Sequence, residues 1–159
     1  MPEFSLRSAR PSDLPGVLAL LAERRLAPNH VETQFGPQYA VAETPEGDLI
    51  GVAGVERYEG DGLFRSAAVS ERYAGRGIGE TLTRDRLFWA RREGLRALYL
   101  LTETAADYWP RFGFVRVSRD SAPEPIRRSP EWAGGCPASA VAMRLDLDDS
   151  LPADGPGVA

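Results

Sequence analysis

The chain has 159 residues, of which 43% are hydrophobic and 26% charged, as is typical of one globular domain. All 19 basic residues are arginine, which excludes catalysis through a lysine Schiff base or a lysine general base.

The formal charge of −4 resides in the aspartates of residues 146–159. The balanced remainder argues against nucleic-acid binding, which needs a basic surface. No apolar run approaches the roughly 20 residues of a membrane span, and the N-terminus lacks a signal-peptide pattern. We therefore expect a cytoplasmic protein without nucleic-acid or membrane partners.

Cysteine and histidine each occur once, as Cys136 and His30. A single cysteine forms no intrachain disulfide, and a structural zinc site usually needs four Cys or His ligands. A Ser-His-Asp triad would have to use His30, but the chain has no nucleophile-elbow sequence. The sequence therefore predicts no metal centre, and it favours a packing role for Cys136.

The first half of the chain predicts a strand, a helix and a three-stranded meander. Residues 3–8 alternate as in a strand, and Ser12 is placed to cap a helix that ends near Pro28. Residues 27–37 hold two prolines and are interpreted as a loop with a short helical piece. Strands then follow over residues 39–43, 49–58 and 63–69, separated by turn sequences at 44–48 and 59–62.

The second half predicts a long helix followed by further strands. The helix begins at Gly77 and ends before Gly94, which is a suitable C-terminal cap. Its apolar stripe consists of Ile78, Leu82 and Trp89, with Leu87 outside it. Strands are predicted at residues 97–102, 114–117 and 138–145, and a short helix at 104–111. Residues 120–137 carry four prolines and are interpreted as irregular, and the acidic end from residue 148 is expected to be disordered.

A glycine-rich turn joins the third meander strand to the long helix. Its sequence is Tyr73-Ala74-Gly75-Arg76-Gly77-Ile78-Gly79. Small residues let a ligand approach the backbone, and the unpaired N–H groups of a helix N-terminus favour an anion such as a pyrophosphate. A turn shaped only for packing is the alternative, since short glycine motifs match by accident. A Walker loop is excluded because it needs a lysine, and a dinucleotide-binding unit does not fit a meander.

This turn resembles the acetyl-CoA fingerprint of the GNAT superfamily of N-acetyltransferases, Gln/Arg-x-x-Gly-x-Gly/Ala at the start of the central helix. In this chain the first fingerprint position is Ala74. The order of predicted elements over residues 3–146 is also similar to the GNAT fold, and Gly113-Phe114 matches the Gly-Phe pair of the family's second cofactor segment. The resemblance implies an α+β fold of α/β/α layers, with a mixed central sheet of about six to seven strands splayed around a cofactor gap. It places the domain at residues 1–146 and leaves 147–159 as a tail.

Four further segments narrow the resemblance to arsenic-resistance N-acetyltransferases, which share features with the acetyltransferase domain of N-acetylglutamate synthases. These segments are Gly54-Val55-Glu56-Arg57-Tyr58, Leu63-Phe64-Arg65-Ser66-Ala67-Ala68-Val69, Tyr99-Leu100-Leu101-Thr102-Glu103-Thr104 and Cys136-Pro137-Ala138-Ser139-Ala140-Val141. A single cysteine does not suit direct binding of trivalent arsenic, which prefers several thiolates. Any link to arsenic would run through acetylation of an amino-bearing arsenical.

The resemblance also implies how the cosubstrate acetyl-CoA is held. Ala67 and Val69 would pair with its pantetheine arm. The pyrophosphate would lie on the turn and the start of the helix, at Ala74, Gly75, Arg76, Gly77, Ile78 and Gly79. Because the family binds the phosphates mainly through main-chain N–H groups, Ala74 is expected to weaken the site without abolishing it.

The chemistry implied is direct transfer, in which an amine loses a proton and attacks the thioester carbonyl. Glu56 is the candidate general base, acting directly or through water; its alternative is an exposed strand carboxylate paired with an arginine. Tyr108 is the candidate general acid, although it stands one position before the family's usual tyrosine, where this chain has Trp109. Its alternative is an aromatic side chain that packs beside the cofactor.

Arg65 is the candidate substrate-binding residue, since a guanidinium on this strand is suited to hold a substrate carboxylate. An internal ion pair with Glu56 is equally compatible with the sequence. The leading functional hypothesis is acetyl-CoA-dependent acetylation of a small, amino-acid-like primary amine. An acetyl-CoA-binding module without turnover and a protein or peptide N-acetyltransferase are the alternatives. The resemblance alone suggests a homodimer.

Overall fold

Within residues 3–135 and 138–147, which the computed structural model describes, seven strands make one mixed sheet. The strands are β1 (Ser5–Ser8), β2 (Tyr39–Glu43), β3 (Leu49–Tyr58), β4 (Asp61–Val69), β5 (Ala97–Thr102), β6 (Val115–Val117) and β7 (Val141–Asp146). Their order in the sheet is β1-β2-β3-β4-β5-β7-β6. β4 and β5 are parallel, and every other neighbouring pair is antiparallel.

Helices cover both faces of this sheet. They are α1 (Leu14–Glu23), α2 (Ile78–Arg92) and the single turn α3 (Glu124–Arg127). On β2, Val41 packs in the cluster of α1, whereas Ala40 and Ala42 pack in the cluster of α2. Because successive strand residues point to opposite faces, α1 and α2 lie on opposite sides of the sheet. No helix in the described ranges is both long and apolar enough to span a bilayer.

The parallel pair β4–β5 separates soon after it forms. Its register contains two residue pairs, Gly62 with Leu98 and Leu63 with Tyr99. Beyond Leu63, β4 continues to Val69 while remaining paired with β3 only. The sheet therefore opens between two central strands, and the predicted α+β fold with a splayed mixed sheet is confirmed.

Most predicted elements are present, and several have the predicted bounds. β2, β3 and β5 begin and end at the predicted residues. The short helical piece within 27–37 is a 3-10 turn at Val31–Thr33. Gly94, just after the end of α2, has a φ of +78°. This is the left-handed conformation in which many helices end, and glycine adopts it readily. These elements carry strong local signals, namely an apolar run in β5, turn residues around β2 and β3, and a glycine cap.

Four predictions at helix and strand ends are wrong. Ser12 does not cap α1, because it lies inside a 3-10 turn whose last residue, Asp13, accepts the Arg10 N–H at 2.7 Å. The first helix ends at Glu23, well before Pro28. β4 begins at Asp61, because Tyr58 and Asp61 already pair and leave a two-residue turn. β7 begins at Val141, so residues 138–140 lie outside the strand.

Two predicted helical features also differ. Residues 104–111 do not form an α-helix; a 3-10 turn occupies Trp109–Phe112. Pro110 has no N–H to donate to an earlier carbonyl, which disfavours a continuous α-helix there. On α2, Leu87 is buried and Trp89 is only partly buried. Arg86 occupies the next position of the Ile78–Leu82 stripe. It is accommodated there because its guanidinium donates to the carbonyls of Pro37 and Gln38.

Candidate active site

A cleft of about 850 Å³ lies where β4 and β5 separate. Its walls are the open edge of β4, the end of β5 with the residues after it, and the first turn of α2. The predicted cofactor residues Ala67, Val69, Ala74, Gly75, Gly77, Ile78 and Gly79 all line this cleft. Arg76 does not line it; its guanidinium lies 5.2 Å from the ring centre of Tyr73. One wall of the cleft is therefore the glycine turn, and another is a strand edge without a neighbouring strand.

A β-bulge shapes the strand edge of the cleft. Gly54 pairs with Arg65 and Val52 pairs with Ala68, so one residue of β3 faces two residues of β4. Ser66, which lies in the bulge, has a φ of +59°, in the left-handed region that non-glycine residues rarely adopt. A bulge bends its strand and redirects the backbone. Here it does so three residues after Leu63, the last β4 residue paired with β5, which helps to open the gap.

The glycine turn presents its backbone to the cleft. Gly75 and Gly77 have φ values of +78° and +81°, and a Cβ on either would meet nothing within 4 Å. Gly77 is the N-cap of α2, and no side chain caps the helix there. The N–H groups of the first turn of a helix have no intrahelical acceptor. Since the cap side chain is missing and the space above the glycines is open, this helix end is suited to an anion.

Tyr108 lies across the cleft from β4 and lines it together with Trp109. Its hydroxyl is 4.0 Å from the position that a Cβ on Gly79 would occupy, so it is close to the first turn of α2. Arg111 stacks on its ring at 4.2 Å. Burial raises the pKa of Tyr108 above that of a free phenol, which keeps the hydroxyl protonated at neutral pH. The structure therefore brings this predicted residue into the cleft despite its one-residue offset from the family position.

A buried ionic cluster borders the cleft through Arg65 and Glu131. The Arg65 guanidinium stands between two carboxylates, with Nη1 3.6 Å from Glu56 and Nε 3.7 Å from Glu131. The Glu56 oxygens accept hydrogen bonds from the hydroxyls of Tyr39 at 2.7 Å and Tyr58 at 2.9 Å. We call Arg65, Glu56, Glu131, Tyr39 and Tyr58 the Arg65 cluster.

The cluster sets the protonation of its members. Burial and the Glu56 carboxylate raise the pKa of both Tyr39 and Tyr58, so both stay hydrogen-bond donors. Burial opposes the charge on Arg65, but Glu131 and the neighbouring groups on β2 and β3 outweigh it and raise the pKa of this side chain. The guanidinium is therefore charged at any pH at which the protein is folded.

Arg65 and Glu56 differ in their access to the cleft. Arg65 and Glu131 line it, whereas Glu56 is buried behind them and is not among its walls. Arg65 Nε donates to Ser66 Oγ at 3.1 Å and Nη2 to the Ala27 carbonyl at 3.4 Å. Its Nη1 is buried and has no hydrogen-bond partner in the described part of the chain. Glu56 is only 2% exposed. It is therefore not the exposed strand carboxylate that the sequence offers as an alternative.

Sequence reasoning missed Glu131 and the two tyrosines that bind Glu56. Glu131 begins a π-helical turn, Glu131–Gly135, inside the proline-rich region that was interpreted as irregular. A single carboxylate in such a segment carries no periodic or motif signal. Tyr39 and Tyr58 read as ordinary strand residues, because aromatic side chains favour strands whatever their hydroxyls do.

Among residues 3–135 and 138–147, no group of three or more His, Cys, Asp or Glu side chains is arranged to hold a metal ion. Cys136 lies outside the described residues, as does the tail from residue 148. The packing role of Cys136 and the disorder of the tail therefore stay predictions.

Comparison with known proteins identifies the family. A model described as the acetyltransferase (GNAT) domain matches residues 36–116, which is just over half of the 159 residues. The chain belongs to the GNAT acetyltransferase family. The match covers the meander, the glycine turn, α2 and the short element that carries Tyr108. The family membership predicted from the glycine turn is confirmed. A comparison with curated proteins found no match.

Solved structures with the GNAT fold superpose on most of the chain. N-acetylglutamate synthase from Neisseria gonorrhoeae, complexed with coenzyme A and N-acetyl-glutamate, has a TM-score of 0.77 and 25% identity over 93% of this chain. The chain spans 36% of that synthase's length. Rv2747 from Mycobacterium tuberculosis, in complex with CoA, has a TM-score of 0.76 at 22% identity and covers 90% of this chain and 99% of its own.

The GNAT family N-acetyltransferase YhbS from Escherichia coli, in complex with CoA, has a TM-score of 0.66 at 24% identity. It covers 94% of this chain and 84% of its own. Because Rv2747 and YhbS are less than 25% identical to this chain, their similarity establishes the fold alone. The predicted likeness to N-acetylglutamate synthases is confirmed by the synthase structure, whereas the arsenic-resistance subgroup stays a prediction.

Proposed function

We propose that this protein is an acetyl-CoA-dependent N-acetyltransferase that transfers the acetyl group directly to the amine of a small, amino-acid-like substrate. The observation that carries the proposal is the convergence of an open strand edge and an uncapped helix N-terminus in one cleft. Membership of the GNAT family supports the same activity, and the synthase and YhbS structures named above hold CoA.

The residues of the cleft fit acetyl-CoA in two places. The first-turn N–H groups of α2 and the open space above Gly75 and Gly77 suit a pyrophosphate. The strand edge at Ala67 and Val69, which has no neighbour on the β5 side, suits the amides of a pantetheine arm. Arg76 would contribute its charge from outside the cleft, since it packs on Tyr73. The cosubstrate supplies an activated acetyl group as a thioester.

Arg65 is our proposed anchor for a substrate carboxylate. Its side chain is buried in the cleft wall, its two hydrogen bonds to Ser66 and Ala27 are 3.1 Å and 3.4 Å long, and Nη1 makes none within residues 3–135 and 138–147. A guanidinium carries five N–H donors, and a buried donor without a partner is costly. A carboxylate that enters the cleft would complete these hydrogen bonds, which favours an amino-acid-like amine.

For Glu56 the geometry supports a positioning role better than direct proton transfer. Both of its oxygens accept tyrosine hydroxyls, and it lies behind Arg65 relative to the cleft. As a base it would have to act through Tyr58 or a water molecule. We propose that Glu56 holds the charge and orientation of Arg65.

Tyr108 is our proposed acid, which protonates the sulfur that leaves. Replacing it by phenylalanine removes only the hydroxyl, so we expect kcat to fall about 100-fold, the low end of general acid–base effects. The KM for acetyl-CoA should stay within about twofold. Because burial raises the Tyr108 pKa, the wild-type kcat should decline only above about pH 10. Steady-state thiol release between pH 6 and 10.5 measures both effects, and an unchanged kcat in Y108F would remove Tyr108 from the mechanism.

The proposed activity has a direct two-stage test. Acetyl-CoA at 1 mM should raise the melting temperature, while acetyl-pantetheine, which lacks the pyrophosphate, should raise it much less. Thiol release is then followed with a panel of amino acids and their decarboxylated amines, including L-phenylalanine and 2-phenylethylamine. A shift without turnover would identify a binding module, and turnover with peptides alone would identify a peptide acetyltransferase. Absence of any shift would contradict the proposal.

The cytoplasmic location inferred from the sequence and the homodimer suggested by the resemblance stay part of this proposal. Fractionation of the producing cells tests the first. Light scattering on the purified protein tests the second.

A further inference from the structure

The cleft is lined by a buried carboxylate other than the one on β3. Three carboxylates line the described part of the cleft: Glu80, Glu103 and Glu131. Glu80 and Glu103 are exposed to solvent, and Glu80 pairs with Arg84 along α2. Glu131 is buried, with a residue exposure of 8%. Glu131 is therefore both buried and part of the cleft wall, whereas Glu56 is buried but is not part of that wall.

The charge around Glu131 favours a cation. Arg65 is the guanidinium between Glu56 and Glu131, at 3.6 Å and 3.7 Å. One positive and two negative groups give the trio a formal charge of −1. Since Glu56 is enclosed by tyrosine hydroxyls, a cationic ligand can approach the excess negative charge from the cleft side, where Glu131 lies. An ammonium group is the cation that an N-acetyltransferase must bind.

The backbone around Glu131 is held firmly. Trp132 packs edge-on against Tyr99 with ring centres 6.1 Å apart, and its indole N–H donates to the Arg119 carbonyl at 3.0 Å. The Arg119 guanidinium in turn donates to the Trp132 carbonyl at 2.8 Å. Ser129, which is buried, accepts the Trp132 N–H at 3.4 Å. A carboxylate on such a segment keeps its position without help from substrate, as a preorganised group should.

Glu131 also stands near the point where transfer would occur. It contacts Arg65, which lies just before the β4 bulge and two residues after the last β4–β5 pair. The open strand edge proposed for pantetheine begins at that bulge. An amine between Glu131 and the strand edge would be close to a thioester at the bulge, with its carboxylate, if present, directed to Arg65.

We infer that Glu131 binds the substrate ammonium group and accepts its proton. The inference rests on the proposed function and adds a catalytic residue to it. The ammonium gives one proton to the Glu131 carboxylate, and the neutral nitrogen forms a bond to the thioester carbonyl carbon. The carbon–sulfur bond then breaks with its electron pair on sulfur, and the sulfur takes a proton from Tyr108. The amide nitrogen gives its remaining extra proton to the Tyr108 phenolate, which restores the hydroxyl, and Glu131 returns its own proton to solvent.

Glu131→Gln tests this assignment, since glutamine keeps the size of the side chain and removes its charge. We expect kcat/KM to fall about 100- to 1,000-fold for L-phenylalanine and 2-phenylethylamine alike, the range of general-base effects. The melting shift with acetyl-CoA should be unchanged. Glu131→Asp should retain more activity than Glu131→Gln. Glu124→Gln is the matched control, because Glu124 is an exposed carboxylate of the same region that pairs only with Arg128 in the described structure.

Formate rescue separates a catalytic role from a structural one. In Glu131→Ala a small carboxylate can occupy the vacated space, so 100 mM formate should restore activity at least tenfold while leaving wild type and Glu131→Gln unchanged. If Glu131→Gln keeps more than a tenth of the wild-type turnover, or if formate does not rescue Glu131→Ala, the inference is overturned while the proposed function stands. Wild-type protein that acetylates no amine in the panel would contradict both.

Discussion

Gly77→Asp is expected to weaken acetyl-CoA binding at least 100-fold while the protein stays folded. Gly77 is the N-cap of α2 at a φ of +81°. Aspartate tolerates this left-handed conformation better than most residues and is a favourable N-cap. Its carboxylate would accept the same first-turn N–H groups that we assign to the pyrophosphate, and it would repel that group. The loss of one or two charge-assisted hydrogen bonds, at about 1.5–3 kcal/mol each, accounts for such a factor.

Calorimetric titration with acetyl-CoA measures the effect. Gly77→Asn has the same shape and cap but no charge, so its loss should be closer to tenfold. Gly94→Asn is the control for backbone strain, because Gly94 has a φ of +78° at the other end of the helix, outside the cleft. An affinity of Gly77→Asp within threefold of wild type would show that the pyrophosphate does not lie on this helix.

Arg65→Met is expected to lower the free energy of unfolding by about 3–5 kcal/mol, the cost of removing one partner from a buried ion pair. The side chain is 1% exposed and separates two carboxylates. Without the guanidinium, Glu56 and Glu131 would be left as buried like charges. The double variant Glu56→Leu, Arg65→Met should lose less than Arg65→Met alone, since it removes one of these uncompensated charges.

Urea unfolding followed by circular dichroism, without ligand, gives these values. Arg128→Met should change the free energy by less than about 1 kcal/mol, because Arg128 and Glu124 are an exposed pair on one helical turn. If Arg65→Met were as stable as Arg128→Met, the Arg65 cluster would not contribute to folding. Substrate binding would then be the better explanation for the buried guanidinium.

The sequence predicted the frame of this site well because local signals define it. The turn sequences that bound β2 and β3, the apolar run of β5 and the glycines at 75, 77 and 94 each specify a conformation within a few residues. The resemblance then joined these elements into a splayed sheet. That part of the cleft is made of backbone, and backbone geometry follows from turn and strand patterns.

The ionic end of the cleft could not be predicted in the same way. Glu131 lies 66 residues after Arg65 in the chain, and nothing in a proline-rich loop indicates which strand it will meet. Glu56 lies in a predicted strand, but the hydroxyls of Tyr39 and Tyr58 that allow its burial come from long-range contacts and from the end of its own strand. Proton-transfer roles depend on such long-range contacts. The sequence could therefore suggest Glu56 as a general base, but it could not show that Glu131 is the buried carboxylate that lines the cleft.

The brief β4–β5 ladder has a consequence for the whole protein. A ligand that lies in the gap would make the backbone hydrogen bonds that the two strands leave unmade beyond Leu63, and so would complete the sheet. At a free concentration of 100 times its Kd, such a ligand adds about 2.7 kcal/mol to stability, a large share of the 5–15 kcal/mol typical of a domain. The folded fraction of the protein would then rise with the free concentration of such a ligand.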